Sequence, residues 1–155
     1  MRSAAARASY VHFARLDTRW NDNDVYGHVN NIVYYSFFDT AVNAHLIRAG
    51  CLDVQKSPVI GLVVETQCQY FKPIAFPDVV HAGILVAKLG TSSVRYEIGL
   101  FANADDIAAA QGHFVHVYID RATNKPVPIP DHTRHTLQEL MLPAGIARSQ
   151  QPLDE

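Results

Sequence analysis

The sequence predicts an α+β domain in which one long helix is buried against an antiparallel sheet of five strands. Three observations carry this reading. Apolar residues over positions 30–48 recur at spacings of three and four, on more than one side of a helix. Five other segments, at 10–20, 59–71, 79–89, 94–101 and 107–119, carry strand patterning. The last four follow one another through short turns. A parallel crossover needs about a dozen residues, so these neighbours run antiparallel.

Residues 10–20 alternate: Tyr10, His12, Ala14, Leu16, Thr18 and Trp20 share one strand face, and Val11, Phe13, Arg15, Asp17 and Arg19 the other. The pattern breaks at Asn21-Asp22-Asn23-Asp24-Val25-Tyr26-Gly27, where Asn, Asp and Gly mark a structured loop. In the helix, Ile32, Tyr35, Phe38, Val42 and Leu46 form one stripe and Tyr34, Phe37, Ala41 and Ala44 a second. Asn30 is the expected N-cap and Gly50 the expected stop. Residues 59–71 place Ile60, Leu62, Val64, Cys68 and Tyr70 on one face and Glu65, Gln67 and Gln69 on the other. Lys72-Pro73, Pro77-Asp78, Gly90-Thr91-Ser92-Ser93 and Asn103-Ala104-Asp105-Asp106 punctuate the remaining strands. After a proline-rich loop over 120–130, Asp131 is expected to cap a short last helix ending near Met141. Residues 10–142 thus read as one domain, flanked by flexible tails at 1–9 and 143–155. One helix leaves a sheet face uncovered, so self-association is expected, as a homodimer or a dimer of dimers.

Composition narrows the function. Lys+Arg number 13 against 15 Asp+Glu, a net charge of −2, so no basic excess draws nucleic acid or an anionic membrane. No apolar run approaches the about 18 residues of a membrane span. Residues 1–9 lack the apolar core of a secretory signal. Cys51 and Cys68 form no Cys-x-x-Cys pair and no disulfide framework, which suits a reducing, cytoplasmic setting.

The segment from Arg19 to Asn31 carries the chemistry. Two carboxylates, a glycine turn, a histidine and two amide residues stand directly before the long helix. The first backbone N–H groups of a helix lack intrahelical acceptors and carry partial positive charge, so they can polarise a carbonyl. A carboxylate a few residues upstream can activate water or attack the carbonyl carbon. These parts suit acyl transfer to water. The same residues also describe an Asx-rich turn followed by an N-cap, with no chemistry at all.

Asp22-x-Asp24-x-x-Gly27-His28-Val29-Asn30-Asn31, followed by Tyr34, Tyr35 and Asp39, resembles the hotdog-fold acyl-CoA thioesterases of the 4-hydroxybenzoyl-CoA thioesterase type. Tyr70-Phe71-Lys72-Pro73 and Leu89-Gly90-Thr91-Ser92-Ser93 fit the same family, and the resemblance spans about residues 10–140. It implies a long central helix wrapped by a five-stranded antiparallel sheet, and hydrolysis of an acyl-CoA to free acid and CoA. By position it assigns Asp24 as the catalytic carboxylate, nucleophile or general base, and Asn31 as the residue whose amide polarises the thioester carbonyl. It further implies a site at a dimer interface and no metal or redox cofactor, with coenzyme A entering as part of the substrate. Gly27, Tyr34 and Tyr35 fall at the expected substrate site. Tyr34, Tyr35 and Phe38 read either as acyl-pocket wall or as plain core. Some members bind the nucleotide phosphates with a basic run after the third strand. Here Thr91, Ser92 and Ser93 stand in that place, flanked by Lys88 and Arg95, and read either as phosphate donors or as an ordinary hairpin turn.

Other residues admit two readings. Asp22 is a second acid or a holder of loop amides. His28 is a substrate donor, a water-orienting group or a plain loop histidine. Asp39, on an apolar helix, needs a polar partner. Glu65 reads as an exposed strand residue. A calcium loop is excluded, since Tyr26 and Val33 stand where oxygen ligands are required. His113 and His116 lie on opposite strand faces, and no metal set is assigned. Two further readings compete with acyl-CoA hydrolysis: a non-catalytic acyl-thioester binding module, and a thioesterase acting on acyl-carrier protein.

Overall fold

The computed structural model describes residues 3–142. Its elements are β1 (His12–Asp17), α1 (Asn31–Arg48), β2 (Val59–Tyr70), β3 (Val79–Leu89), β4 (Ser93–Ala102), β5 (Ala110–Asp120) and α2 (Asp131–Gln138), with short 3-10 turns at Arg7–Ser9 and Trp20–Asp22. The five strands form one antiparallel sheet in the order β1-β3-β4-β5-β2, with β1 and β2 as edges. Helix α1 packs on one face of it.

Both ends of α1 are set by their sequence. Asn30 Oδ1 accepts from the Ile32 N–H at 3.1 Å, the local bond that makes Asn a strong N-cap. At the other end Cys51 N–H reaches Leu46 O and Gly50 N–H reaches Ile47 O, at 2.8 and 3.1 Å. This paired closure requires a left-handed residue, and Gly50 supplies it at φ +75°. Tyr34, Phe37, Phe38, Ala41, Val42 and Leu46 are buried. They form one continuous stripe, so within this chain the helix is not buried on two sides as its sequence suggested. Ile32, Ile47 and Asp39 are exposed. Asp39 needs no buried partner and instead accepts from Asn43 Nδ2 one turn on, at 3.0 Å.

Several expectations change. The first strand covers only His12–Asp17, because Trp20–Asp22 winds into a 3-10 turn closed by the Asp22 carboxylate on the Arg19 N–H. The expected loose N-terminal tail is held from Ser3 onward, where Ser3 O accepts from Gln111 Nε2. Ala5 N–H donates to Gln111 Oε1, and Ala6 bridges Ile107. Arg7 donates to Asp105 O, and its guanidinium lies 5.1 Å from the centre of the Phe101 ring. These residues lead into Tyr10, which with Leu85, Phe101 and Ala108 forms a second apolar cluster. Strand β5 begins at Ala110 rather than 107 because Ile107 is engaged with this segment. Asp131 is the first residue of α2 and caps nothing; the N-cap position is Pro130. The helix ends at Gln138, and Leu140 O then accepts from Val86 N–H on β3. The expected tail over 143–155 lies outside the described residues.

Strand β2 departs most from its pattern. A bulge between Val63 and Glu65 interrupts the period-two alternation. Leu62, Val63 and Val64, the apolar centre of the segment, are exposed, Val64 by 60 %. The strand lies at the edge of the sheet, and this chain supplies nothing that covers it there among the described residues.

Candidate active site

The loop before α1 is built by its own polar side chains. Asp22 is 2 % exposed. Its Oδ2 accepts from the Arg19 backbone N–H at 2.7 Å and its Oδ1 from the Arg19 guanidinium at 3.0 Å, so it holds the turn together. Asn23 Oδ1 accepts from Phe76 N–H at 3.0 Å and pins the loop to the segment after β2. Asp24 shapes the next turn. Its Oδ1 accepts from Tyr26 N–H at 2.8 Å, its carbonyl from Gly27 N–H at 3.0 Å, and its N–H donates to His28 O at 2.9 Å. Gly27, at φ +81°, supplies the left-handed residue that closes the turn. The other carboxylate oxygen of Asp24 carries no hydrogen bond from the described residues.

The chain then enters the helix under restraint. Val29 N–H donates to Ile74 O at 2.7 Å and Asn30 N–H to Asp22 O at 2.9 Å. The next N–H, that of Asn31, has no acceptor among the described residues. It is the first donor of the helix and lies at the positive end of its dipole. Asn31 also borders a cavity of about 330 Å³. Loop and helix contribute His28, Asn31 and Tyr34 to the lining, and the end of β2 with the turn after it contributes Tyr70, Phe71, Lys72 and Pro73. Tyr70 stands edge-on to Tyr34 with ring centres 4.8 Å apart, and its hydroxyl donates to Asn31 O at 2.9 Å. Lys72 pairs with Asp105.

The phenols at this cavity, and the Cys68 thiol beside Tyr70, stay protonated at neutral pH. Burial raises the Tyr34 phenol, against a hydrogen bond with the Ile74 backbone. Burial, and then the neighbouring Cys68, raise the Tyr70 phenol. Burial pushes the Cys68 thiol up to about 11, against a hydrogen bond with Tyr70. Cys68 is therefore no thiolate nucleophile.

The expected site residues divide into three groups. His28, Asn31 and Tyr34 border the cavity together. Asp24, Gly27 and Tyr35 are not part of its lining: Asp24 and Gly27 form the adjoining turn, and Tyr35 packs edge-on against Phe38 at 6.1 Å. Thr91, Ser92 and Ser93 are not brought to this cavity within one chain. Ser93 lies opposite Val117 of β5 and Tyr70 opposite Ala110, a separation of roughly 23 Å along the strand. Their carbonyls are also structurally engaged. Thr91 O accepts from Ile129 N–H and the Arg134 guanidinium, and Ser92 O from Tyr118 N–H. Sequence reasoning places Tyr70 and Lys72 only within a segment, without roles of their own. The signal for them is the apolar pattern of β2 ending at a Lys-Pro turn.

Known proteins share this fold. The sequence profile of the thioesterase-like superfamily matches residues 18–137. The chain belongs to that superfamily. It is similar to the PA5185 protein of Pseudomonas aeruginosa, with 51 % identity and TM-score 0.87, covering 89 % of this chain and 96 % of that one. It is also similar to the PA2801 protein of Pseudomonas aeruginosa, with 31 % identity and TM-score 0.77, covering 83 % and 98 %. A thioesterase from Thermus thermophilus, solved with coenzyme A and zinc, is 30 % identical with TM-score 0.70, covering 85 % and 95 %. The five-stranded antiparallel sheet with α1 packed on it is the hotdog architecture of this superfamily. Among the described residues, no helix is long and apolar enough to cross a membrane.

Proposed function

We propose that this chain hydrolyses an acyl-CoA thioester to free acid and CoA. The observation that carries the reading is the Asn31 N–H. It lacks an acceptor among the described residues, stands at the start of a long helix, borders an open cavity, and follows closely on the turn that holds Asp24. An N–H so placed stabilises the oxyanion that forms when a thioester carbonyl is attacked. In the proposed reaction Asp24 takes a proton from water as the water oxygen bonds to the carbonyl carbon. The tetrahedral oxyanion is held at the Asn31 N–H, then collapses and expels the CoA thiolate, which regains the proton. Asp24 stands in the turn beside the cavity rather than in its lining, so in this reading it acts on the bound carbonyl through a water. This favours the general-base form over direct attack. The aromatic edges of Tyr34 and Tyr70 suit an acyl group. The cycle uses water, the substrate and the chain's own groups, without a metal or redox cofactor. The coenzyme A bound by the Thermus thermophilus relative supports CoA as the leaving group.

The working unit in this proposal is a homodimer, with a dimer of dimers as the larger option. Edge strand β2 offers unpaired backbone and exposed Leu62, Val63 and Val64. Beside the cavity Val25 and Tyr26 are 95 % and 83 % exposed, an unusual cost for a monomer's loop. A second copy covering both would bring another chain's residues to the cavity, and with them a source of the phosphate contacts that Thr91, Ser92 and Ser93 do not provide in the same chain. The two free thiols suit a reducing, cytoplasmic setting.

The test is thiol release across a panel of aliphatic and aromatic acyl-CoAs, with acyl-carrier-protein thioesters alongside. Saturable turnover of at least one acyl-CoA is expected. Binding without turnover of any thioester would reduce the chain to a binding module.

A further inference from the structure

We propose that Tyr70 is a positioning residue of this site: its hydroxyl, reaching across from the end of β2, fixes the first turn of α1 so that the Asn31 N–H faces the cavity. The kinetic part of this inference rests on the thioester-hydrolase reading; the geometric part does not.

Residues 29–31 are fixed from three directions. Val29 N–H is held by Ile74 O and Asn30 N–H by Asp22 O, both through backbone. The third restraint is Tyr70 Oη, which donates to Asn31 O at 2.9 Å. Among the described residues it is the one side-chain hydrogen bond that another element makes to these three residues. Without it the first turn keeps the N-cap bond from Ile32 N–H to Asn30 Oδ1, the bond between the Tyr34 phenol and the Ile74 backbone and its own helical bonds, but no restraint on the Asn31 carbonyl from β2, and the ends of helices fray. An oxyanion donor loses its advantage when it must reorient during the reaction, so a restraint on the other side of its own Cα, at the Asn31 carbonyl, acts on the rate.

The ring of Tyr70 gives the hydroxyl its aim. It stands at 82° to Tyr34, and Tyr34 is buried in the core. Tyr70 is itself 45 % exposed, so its ring adds little to the stability of the core. Its raised phenol keeps the donating proton over the whole working pH range.

Tyr70→Phe keeps the ring and removes the hydroxyl. In acyl-CoA hydrolysis the expected result is a kcat lower by about five- to tenfold, the size of one lost hydrogen bond. KM should stay within about twofold and Tm within about 2 °C, since the bond is not part of the core. Amide hydrogen exchange over residues 31–35 should speed up in the variant, with the rest of α1 unchanged. Unchanged kcat with unchanged exchange would overturn the proposal. So would a rise in KM at constant kcat, which would make Tyr70 a substrate contact. A parallel fall of kcat and Tm would make it merely structural and would also overturn it. If the wild-type protein hydrolyses no acyl-CoA, the functional reading fails on its own. The exchange arm then still decides the geometric claim: faster exchange confined to the first turn supports it, and unchanged exchange rejects it.

Discussion

In the proposed reaction the Asn31 N–H acts through the backbone, so its side chain is dispensable. Asn31→Ala should keep most of the activity. Asn31→Pro deletes the donor at a place that tolerates proline. The residue before it, Asn30, already has ψ 137°, the extended conformation that proline imposes on its predecessor. Asn31 is the first helical residue, where the missing N–H breaks no helical bond. Hydrolysis by Asn31→Pro should fall by about two orders of magnitude, the usual effect of losing an oxyanion donor. Steady-state kinetics beside circular dichroism and melting checks this; a folded Asn31→Pro enzyme with near-normal kcat would place the polarising group elsewhere. At this scale the sequence was most informative where spacing alone dictates geometry. Asn30 as cap and Gly27 as turn closer follow from local bonds among neighbours. Tyr70 was not legible, because its hydrogen bond to Asn31 spans 39 positions and depends on the register of β2.

At the scale of elements, turn chemistry located β3 to the residue, since Pro77-Asp78 and Gly90 bracket it. The alternation of residues 59–71 was misleading, because periodicity reports which side chains share a face but not whether anything covers that face. Strand β5 illustrates the converse. His116 reads as one of several strand histidines, yet it is 2 % exposed among Tyr96, Phe114 and Tyr118, and its Nδ1 has no hydrogen-bond partner among the described residues. Burial lowers its pKa from 6.5 to about 4. A depressed imidazole favours the folded state while it is neutral in both states, above about pH 6.5. That advantage is lost as pH falls toward 4, where the unfolded chain binds the proton and the folded chain does not. The loss amounts to about 3 kcal/mol once pH is below the folded value. Urea denaturation at about pH 7 and about pH 4 should show this decline in the wild type and a smaller one in His116→Phe. Equal declines in both would mean that His116 is not held neutral.

For the whole molecule, the N-terminal segment covers part of the sheet's outer face through Tyr10 and Arg7, while β2 and the loop before α1 remain uncovered. A two-fold dimer is therefore expected to close on the β2 side. Sedimentation at micromolar concentration should give a species of about 34 kDa, twice the chain mass of 17.2 kDa, or a multiple of it. A fully active species of single-chain mass would contradict the shared site. The hotdog architecture was legible from the element order and the motif before α1. The separation of Thr91, Ser92 and Ser93 from the cavity was not, because it depends on how far apart β5 holds its two neighbours' ends. The central claim is that Asp24 activates the attacking water beside the Asn31 N–H, and kcat for Asp24→Asn tests it most directly. The change removes the base and keeps the oxygen that accepts from Tyr26 N–H, so the turn survives. The account predicts an assembled protein that still binds acyl-CoA, with kcat reduced by about a hundredfold or more. An assembled Asp24→Asn protein that turns over at near the wild-type rate would contradict it.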